Sequence, residues 1–172
     1  MAPEGTFVAF MGWQSGQIGE GGMQVAMQGE APKRVLLERF RASGDAVLFA
    51  TSSFWEGVDV PGEALRLVVL DKIPFAVPTD PVVVARSRRI EAEGGNAFVE
   101  YSVPQAAMTL KQGFGRLIRT EHDRGVVALL DARARNKGYG PRLLAGLPRA
   151  RACATVDDVR AFFAEGLDDD RA

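Results

Sequence analysis

The sequence predicts an α/β fold in which a mainly parallel sheet lies between two layers of helices. Short apolar or β-branched runs bounded by glycine, proline or charge recur along the chain. Segments with helical spacing separate most of these runs, and strands that alternate with helices favour a parallel sheet covered on both faces. The length of 172 residues suits one domain of ordinary size.

Five segments have the composition of strands, namely residues 6–11, 23–27, 46–51, 65–70 and 125–130. The three strongest lack strict apolar/polar alternation, which predicts strands that are buried on both sides and central in the sheet.

Five segments have helical spacing, namely residues 32–41, 81–93, 104–119, 141–147 and 156–163. The first four begin at a proline, where the missing N–H of proline is tolerated. Thr155 precedes the fifth helix and is a typical N-cap residue.

Two segments fit this pattern poorly. Residues 12–22 hold five glycines and no helical stripe, so a loop is expected after the first strand. The sheet is then expected to lack one covering helix and to expose apolar surface. The sequence divides into an atypical glycine-rich segment over 1–23, the main domain over 24–167, and a short acidic tail over 168–172.

Composition excludes several classes of site. With 21 basic and 22 acidic residues, the chain carries no overall field for nucleic acid, so any such contact must be local. The single cysteine, Cys153, cannot form an internal disulfide or hold an iron–sulfur cluster, and we predict no metal site. No run approaches the roughly 20 apolar residues of a membrane span, and the N-terminus has no signal-peptide pattern. We therefore expect a cytoplasmic protein.

The strongest chemical signal is the segment QGFGRLIR, residues 112–119. On a helix, its spacing places Gln112, Gly115, Arg116 and Arg119 on one face or its rim. Two arginines one turn apart can grip phosphate oxygens, and the transition state of phosphoryl transfer is stabilised mainly by positioned positive charge. Taken alone, the segment also fits an ordinary solvated basic face.

A second segment, TSSFWEGVDVPG over residues 51–62, follows a predicted strand and ends in a Pro-Gly turn. Ligands of parallel sheets bind at the carboxyl ends of strands, which is where Glu56, Gly57 and Asp59 are expected. Asp59 could instead cap a turn through its own backbone. Trp55 could stack on a base or belong to the core.

A third position leaves two interpretations open. Asp131 and Arg133 follow the last strong strand, where they could take part in function or form a local ion pair.

Together, FWEGVDVPG and QGFGRLIR resemble motifs V and VI of the second RecA-like motor domain of DinG/XPD-type superfamily 2 ATP-dependent DNA helicases. The stretches QGEAPKRVLLERFR, LDKIPFAVPTDPVV, YSVPQAAMTLKQ and GVVALLDARARNKGYG agree with the same family, and the resemblance covers roughly residues 24–145. It implies a three-layer RecA-like fold and identifies residues 24–167 as the helicase C-terminal domain.

The resemblance also implies roles for particular residues. Arg116 and Arg119 match the catalytic arginines of motif VI, one of which acts as an arginine finger on the γ-phosphate. Two further motif VI positions that bind the nucleotide are matched by Gln112, which is expected to line the cleft, and Gly115, which is expected to permit close packing. In motif V, Glu56, Gly57 and Asp59 match residues that face the nucleotide or couple it to DNA.

The sequence contains no Gly-x-x-x-x-Gly-Lys-Ser/Thr pattern and no Asp-Glu-x-His box. In the family both lie in the first motor domain, which is expected to hold most of the ATP and Mg²⁺ contacts. We therefore expect the isolated chain to be inactive, with single-stranded DNA and a first motor domain, in cis or in trans, as its partners. The family further suggests a role in DNA repair or replication.

Several alternatives stay open. The chain could be a truncated or frameshifted remnant, half of a split helicase, or a reading frame with a mistaken start. It could also be a non-catalytic RecA-like module that binds single-stranded DNA or a protein partner. A stand-alone nucleotide hydrolase is disfavoured because no catalytic base, metal cluster or glycine-rich phosphate loop completes a site.

Overall fold

The structure is a computed structural model that describes residues 7–12, 24–43, 46–51, 54, 65–117 and 124–165, with the backbone alone described for residues 7–12 and 116. Its described strands are β1 Phe7–Gly12, β2 Gln24–Met27, β3 Ala46–Thr51, β4 Leu67–Leu70 and β5 Val126–Leu129. Each corresponds to one of the predicted strands, so all five predictions are confirmed.

The described helices are α1 Lys33–Ser43, α2 Pro81–Ala92, α3 Val103–Leu117, α4 Arg133–Asn136, α5 Gly140–Ala145 and α6 Val156–Ala164. A π-helical turn, Phe98–Ser102, leads directly into α3. The five predicted helices are confirmed, whereas the π-helical turn and α4 were not predicted. None of the helices in the described ranges is long and apolar enough to cross a bilayer.

The strand order of the sheet is β2-β3-β1-β4-β5. Strand β2 pairs with β3, and β4 with β5, in parallel, whereas β1 pairs antiparallel with both β3 and β4. Four of the five described strands therefore run in one direction. The α/β class with a mainly parallel sheet is confirmed, and the antiparallel direction of β1 was not predicted.

The direction of β1 has a physical reason in its connection to β2. A parallel connection must return the chain across the sheet, which takes a dozen or more residues and usually a helix. Residues 13–23, which separate β1 from β2, are too few and too rich in glycine for that. An antiparallel β1 ends at the same edge of the sheet where β2 begins, so a short connection suffices.

One face of the sheet carries the core. The registers place Leu48, Val68 and Val127 in one row across the sheet, and Ala50, Leu70 and Leu129 in the next. The side chains of this face are buried or pack against the core. Helix α1 adds Leu36, Leu37 and Phe40 to the same core, and α3 adds Val103, Ala106 and Leu110. Helices α1 and α3 therefore cover this face.

The opposite face is open along β2 and at Phe49 of β3, although Val47 of β3 is buried there. Val25 is 64% exposed, Met27 53% and Phe49 39%, and the register Met27↔Phe49 places the last two side by side. The uncovered apolar surface expected from the glycine-rich segment is thus present. Helix α2 has no buried residue, so it does not supply the missing cover.

Candidate functional site

Strands β2 to β5 end at a common edge of the sheet, where the ligands of α/β folds bind. At this edge, the side-chain oxygen of Gln28 accepts hydrogen bonds from the backbone N–H of Thr51 at 2.8 Å and from its hydroxyl at 3.1 Å. Thr51 ends β3 and begins the TSSFWEGVDVPG segment. Gln28 therefore fixes the point at which the motif V segment leaves the sheet.

Phe54, the other described residue of that segment, also lies near the start of α1. Phe54 is 3% exposed, and the ammonium group of Lys33, at the start of α1, lies 4.8 Å from the centre of its ring. The beginning of the motif V segment is thus anchored both by Gln28 and by packing against α1.

A second anchor joins the ends of β4 and β5. The Asp131 carboxylate accepts from the backbone N–H of Ile73 at 2.9 Å and from the guanidinium of Arg133 at 2.7 to 3.1 Å. Hydrogen bonds from Arg133 and Ile73 stabilise the charged carboxylate and hold the pKa of Asp131 well below its usual range. Of the two interpretations, the local ion pair is present, and it also ties two strand ends together.

Three aromatic rings meet beside this anchor. The ring centres of Phe75 and Phe98 are 5.5 Å apart, those of Phe75 and Tyr139 5.8 Å, and those of Phe98 and Tyr139 5.2 Å. The guanidinium of Arg133 lies 5.7 Å from the centre of the Phe75 ring. The cluster joins the segment after β4, the π-helical turn and the loop between α4 and α5.

Helix α3 carries the start of the QGFGRLIR segment, which resembles motif VI. Its buried residues recur at helical spacing, with Val103, Ala106, Leu110 and Leu117 in the core. Gln112 is exposed on the other side of the helix. The structure therefore presents this part of motif VI at the surface of the domain.

Gly115 is also exposed, and a Cβ at its position would meet no described atom within 4 Å. The close packing expected at this glycine is therefore not made by the described part of the chain.

The other predicted site residues lie outside the described residues. They are Arg119, Glu56, Gly57 and Asp59, together with the side chain of Arg116, whose backbone lies in the last turn of α3. Their roles, and those of Gln112 and Gly115, stay predictions. Trp55, the candidate for base stacking, also lies outside.

Metal ligands are not grouped in the described parts of the chain, where no set of three or more His, Cys, Asp or Glu residues could hold an ion. The single described cysteine, Cys153, is half-buried and unbonded to another cysteine.

Sequence reasoning missed two features of this edge. Gln28 begins a stretch that resembles the family, but its bond to Thr51 spans 23 positions in sequence, so no local pattern signals the contact. The aromatic cluster draws its rings from three separate segments, so no single stretch of the sequence shows the three rings together. Only the tertiary contacts between the rings reveal the cluster.

Comparison with known proteins agrees with this organisation. The helicase C-terminal domain family matches residues 9–150. The ATP-dependent DNA helicase YoaA of Escherichia coli strain K12 is 50% identical over 128 residues, which are 74% of this chain and 20% of the relative. YoaA of Haemophilus influenzae is 45% identical over 140 residues, which are 81% of this chain and 22% of that protein.

The ATP-dependent helicase DinG of Mycobacterium tuberculosis strain H37Rv is 46% identical over 137 residues, which are 80% of this chain and 21% of that protein. The chain thus spans about a fifth of the length of these curated relatives. The family match includes α3, both anchors at the strand ends and the aromatic cluster. The chain belongs to the helicase C-terminal domain family, with relatives of the DinG and YoaA type.

Proposed function

We propose that this chain is the second motor domain of an ATP-dependent DNA helicase and contributes motifs V and VI to a shared ATP site. The observation that carries the proposal is the position of α3. Its inner side is locked into the core by Ala106 and Leu110, while Gln112 and Gly115 at its last turns face outward. A rigid helix with an exposed motif is suited to meet a nucleotide held by another domain.

Within this proposal, Arg116 and Arg119 are the catalytic arginines. Transfer of the γ-phosphoryl group to water spreads negative charge over the phosphate oxygens, and guanidinium groups stabilise that charge bidentately. Glu56, Gly57 and Asp59 in the motif V segment couple the nucleotide to single-stranded DNA. The bond from Gln28 to Thr51 supports this role because it fixes the start of that segment.

The phosphates of ATP and the Mg²⁺ ion are assigned mainly to a first motor domain, in the same protein or in a partner chain. The sequence has no phosphate-binding loop, and the described residues offer no cluster of metal ligands. An arginine finger without that loop stabilises a charge that is never brought to it. The isolated chain should therefore hydrolyse ATP at a negligible rate.

The test is ATP hydrolysis with single-stranded DNA present, by the pure chain alone and mixed with the first motor domain of a related helicase. Arg116→Ala and Arg119→Ala are compared with Arg88→Ala, which removes an exposed arginine from α2. We expect turnover only in the mixture. At least one motif VI variant should lose about 1,000-fold or more, the usual contribution of an arginine finger, while Arg88→Ala retains the rate.

Two outcomes would overturn the proposal. Turnover by the chain alone that disappears in Arg119→Ala would mean that the chain holds a complete site. A folded chain that gives no turnover in any mixture, yet binds single-stranded DNA, would favour the non-catalytic binding module.

A further inference from the structure

The Phe75–Phe98–Tyr139 cluster is only partly covered. Phe98 remains 43% exposed although its ring contacts both of the others. Phe75 and Tyr139 are half-buried beneath it. Aromatic residues that served only to fill a core would be covered, so the exposed part of Phe98 is open to contact with a ligand.

Hydrogen bonds and ring packing around Phe75 hold the aromatic cluster in place. The backbone N–H of Phe75 donates to the carbonyl of Ile73 at 2.8 Å, and the N–H of Ile73 donates to Asp131 at 2.9 Å. Tyr139 packs edge-on against Phe75, with an interplanar angle of 84°. A ligand that stacks here meets an arrangement that is already formed, so little conformational entropy is lost on binding.

Phe98 itself begins the π-helical turn Phe98–Ser102. Such turns are rare and occur frequently at functional sites. The turn places Phe98 at the surface one residue after Ala97, which is 6% exposed. The same short segment therefore anchors in the core and presents an aromatic ring outward.

Exposed cationic side chains lie on the segments that form the cluster. Arg133 lies over Phe75 with its side chain 46% exposed, and its partner Asp131 is 7% exposed. Lys72 and Lys137, on the segments that carry Phe75 and Tyr139, are exposed. The carboxylate of Glu100, two residues after Phe98, accepts from the backbone N–H of Asn96. A polyanion can therefore approach the exposed ring beside these cations.

We propose that the Phe75–Phe98–Tyr139 cluster is a stacking platform for a base of single-stranded DNA, with the Arg133 side of the cluster facing the neighbouring phosphate. Single-strand binding sites combine aromatic rings for the bases with cations for the backbone, and both are present here. The choice of DNA as the strand rests on the proposed function. The location of the platform does not, because it follows from the exposed ring and the adjacent charge.

The experiment uses the full 172-residue chain, a labelled oligo-dT strand for affinity, and a strand containing 2-aminopurine for stacking. Phe98→Ala removes the exposed ring and Phe98→Trp keeps an aromatic face. Val25→Ala is the control because Val25 is an exposed apolar residue on β2, the edge strand farthest from β4 and β5 in the sheet.

We expect Phe98→Ala to weaken oligo-dT binding by about 5-fold or more, the lower end of what the loss of one stacked base causes. The quenching of 2-aminopurine should disappear with it. Phe98→Trp should retain both signals and Val25→Ala should bind like the unaltered chain. The salt dependence should be unchanged in Phe98→Ala, because stacking releases no counterions.

The failure of the platform can be separated from the failure of the proposed function. The platform alone is wrong if the unaltered chain and Phe98→Ala bind DNA equally, while the mixture with a first motor domain still shows ATP hydrolysis that depends on motif VI. If the unaltered chain binds no DNA, the platform is wrong. If the mixture also shows no ATP hydrolysis, the proposed function is wrong as well.

Discussion

At the residue scale, Asp131 is the most connected described side chain at the carboxyl edge of the sheet. Asp131→Asn removes the charge that Arg133 grips and weakens the acceptor of the Ile73 N–H. Hydrogen bonds to charged groups contribute about 1.5 to 3 kcal/mol, so we expect the free energy of unfolding at pH 7 to fall by about 2 kcal/mol. Urea unfolding measures this free energy. The control Asp157→Asn, in a surface-exposed ion pair, should change it by less than about 0.5 kcal/mol.

The pH dependence of the same residue has a definite sign. Because the folded state holds the pKa of Asp131 below its ordinary value of 3.8, the carboxylate stabilises the fold fully above that pH. The contribution is lost as the pH falls through the lowered, folded-state pKa. Unfolding series at several pH values should therefore show the difference between the unaltered chain and Asp131→Asn shrinking below about pH 4. A difference that grows on acidification would contradict the assignment.

Gly140 provides a steric prediction at the start of α5. A Cβ at this position would overlap the backbone carbonyl of Ala134 in α4, and backbone atoms cannot move aside as a flexible side chain can. We expect Gly140→Ala to lower the free energy of unfolding by about 1 to 3 kcal/mol.

Gly138→Ala is the matched control for this change, since a Cβ there meets no described atom within 4 Å. The denaturant concentrations at which the two variants are half unfolded test this prediction. Equal midpoints would mean that α4 and α5 do not pack as closely as the structure has them.

At the element scale, the sequence predicted the positions of strands and helices well because apolar periodicity and prolines are local signals. The caps were predictable for the same reason, as Thr155 shows at the start of α6. The π-helical turn and the four-residue α4 were missed because neither is long enough to display a period. Both are stabilised by contacts with other segments, the aromatic cluster among them.

Helix α6 is where a cap should matter most. It has no buried residue, and Thr155 and Asp158 form a reciprocal capping box at its start. Backbone and hydroxyl hydrogen bonds from Thr155 lower the pKa of Asp158. An N-cap substitution of this kind weakens a helix by about 1 kcal/mol, so Thr155→Ala should increase amide exchange in α6 about 5-fold while leaving the sheet unchanged.

The control for the cap is Val156→Ala, which changes a neighbouring side chain that is 67% exposed. Exchange in α6 should stay within about 2-fold of the unaltered chain in that variant. If both variants accelerate exchange equally, the helix is held by something other than its capping box, such as the hydrogen bond from Arg124 to the Phe162 carbonyl.

At the scale of the whole molecule, strand direction was the feature that sequence could not supply. The pattern of residues 6–11 predicts a strand but carries no information on its partners, and only the short glycine-rich connection explains why β1 runs against its neighbours. The candidate site shows the same limit. The resemblance to motifs V and VI could be seen in the sequence, whereas the Gln28 and Asp131 anchors depend on contacts between residues 23 and 58 positions apart.

The open sheet face makes a prediction about the isolated chain. Edge strand β2 exposes Val25 and Met27 beside Phe49, and uncharged apolar edges of this kind favour association between copies. A lysine at such an edge opposes association by charge and hydration. We expect Met27→Lys to reduce the concentration-dependent increase in light scattering of the pure chain.

Met108→Lys tests whether the position, rather than the added charge, is responsible. Met108 is 56% exposed, close to the 53% of Met27, but it lies on α3, away from the sheet edge. Light scattering across a concentration series should therefore fall in Met27→Lys and stay near that of the unaltered chain in Met108→Lys. Equal reductions in both would show that an added lysine lowers association wherever it is placed, and the open face of β2 and β3 would then not be the cause of the association.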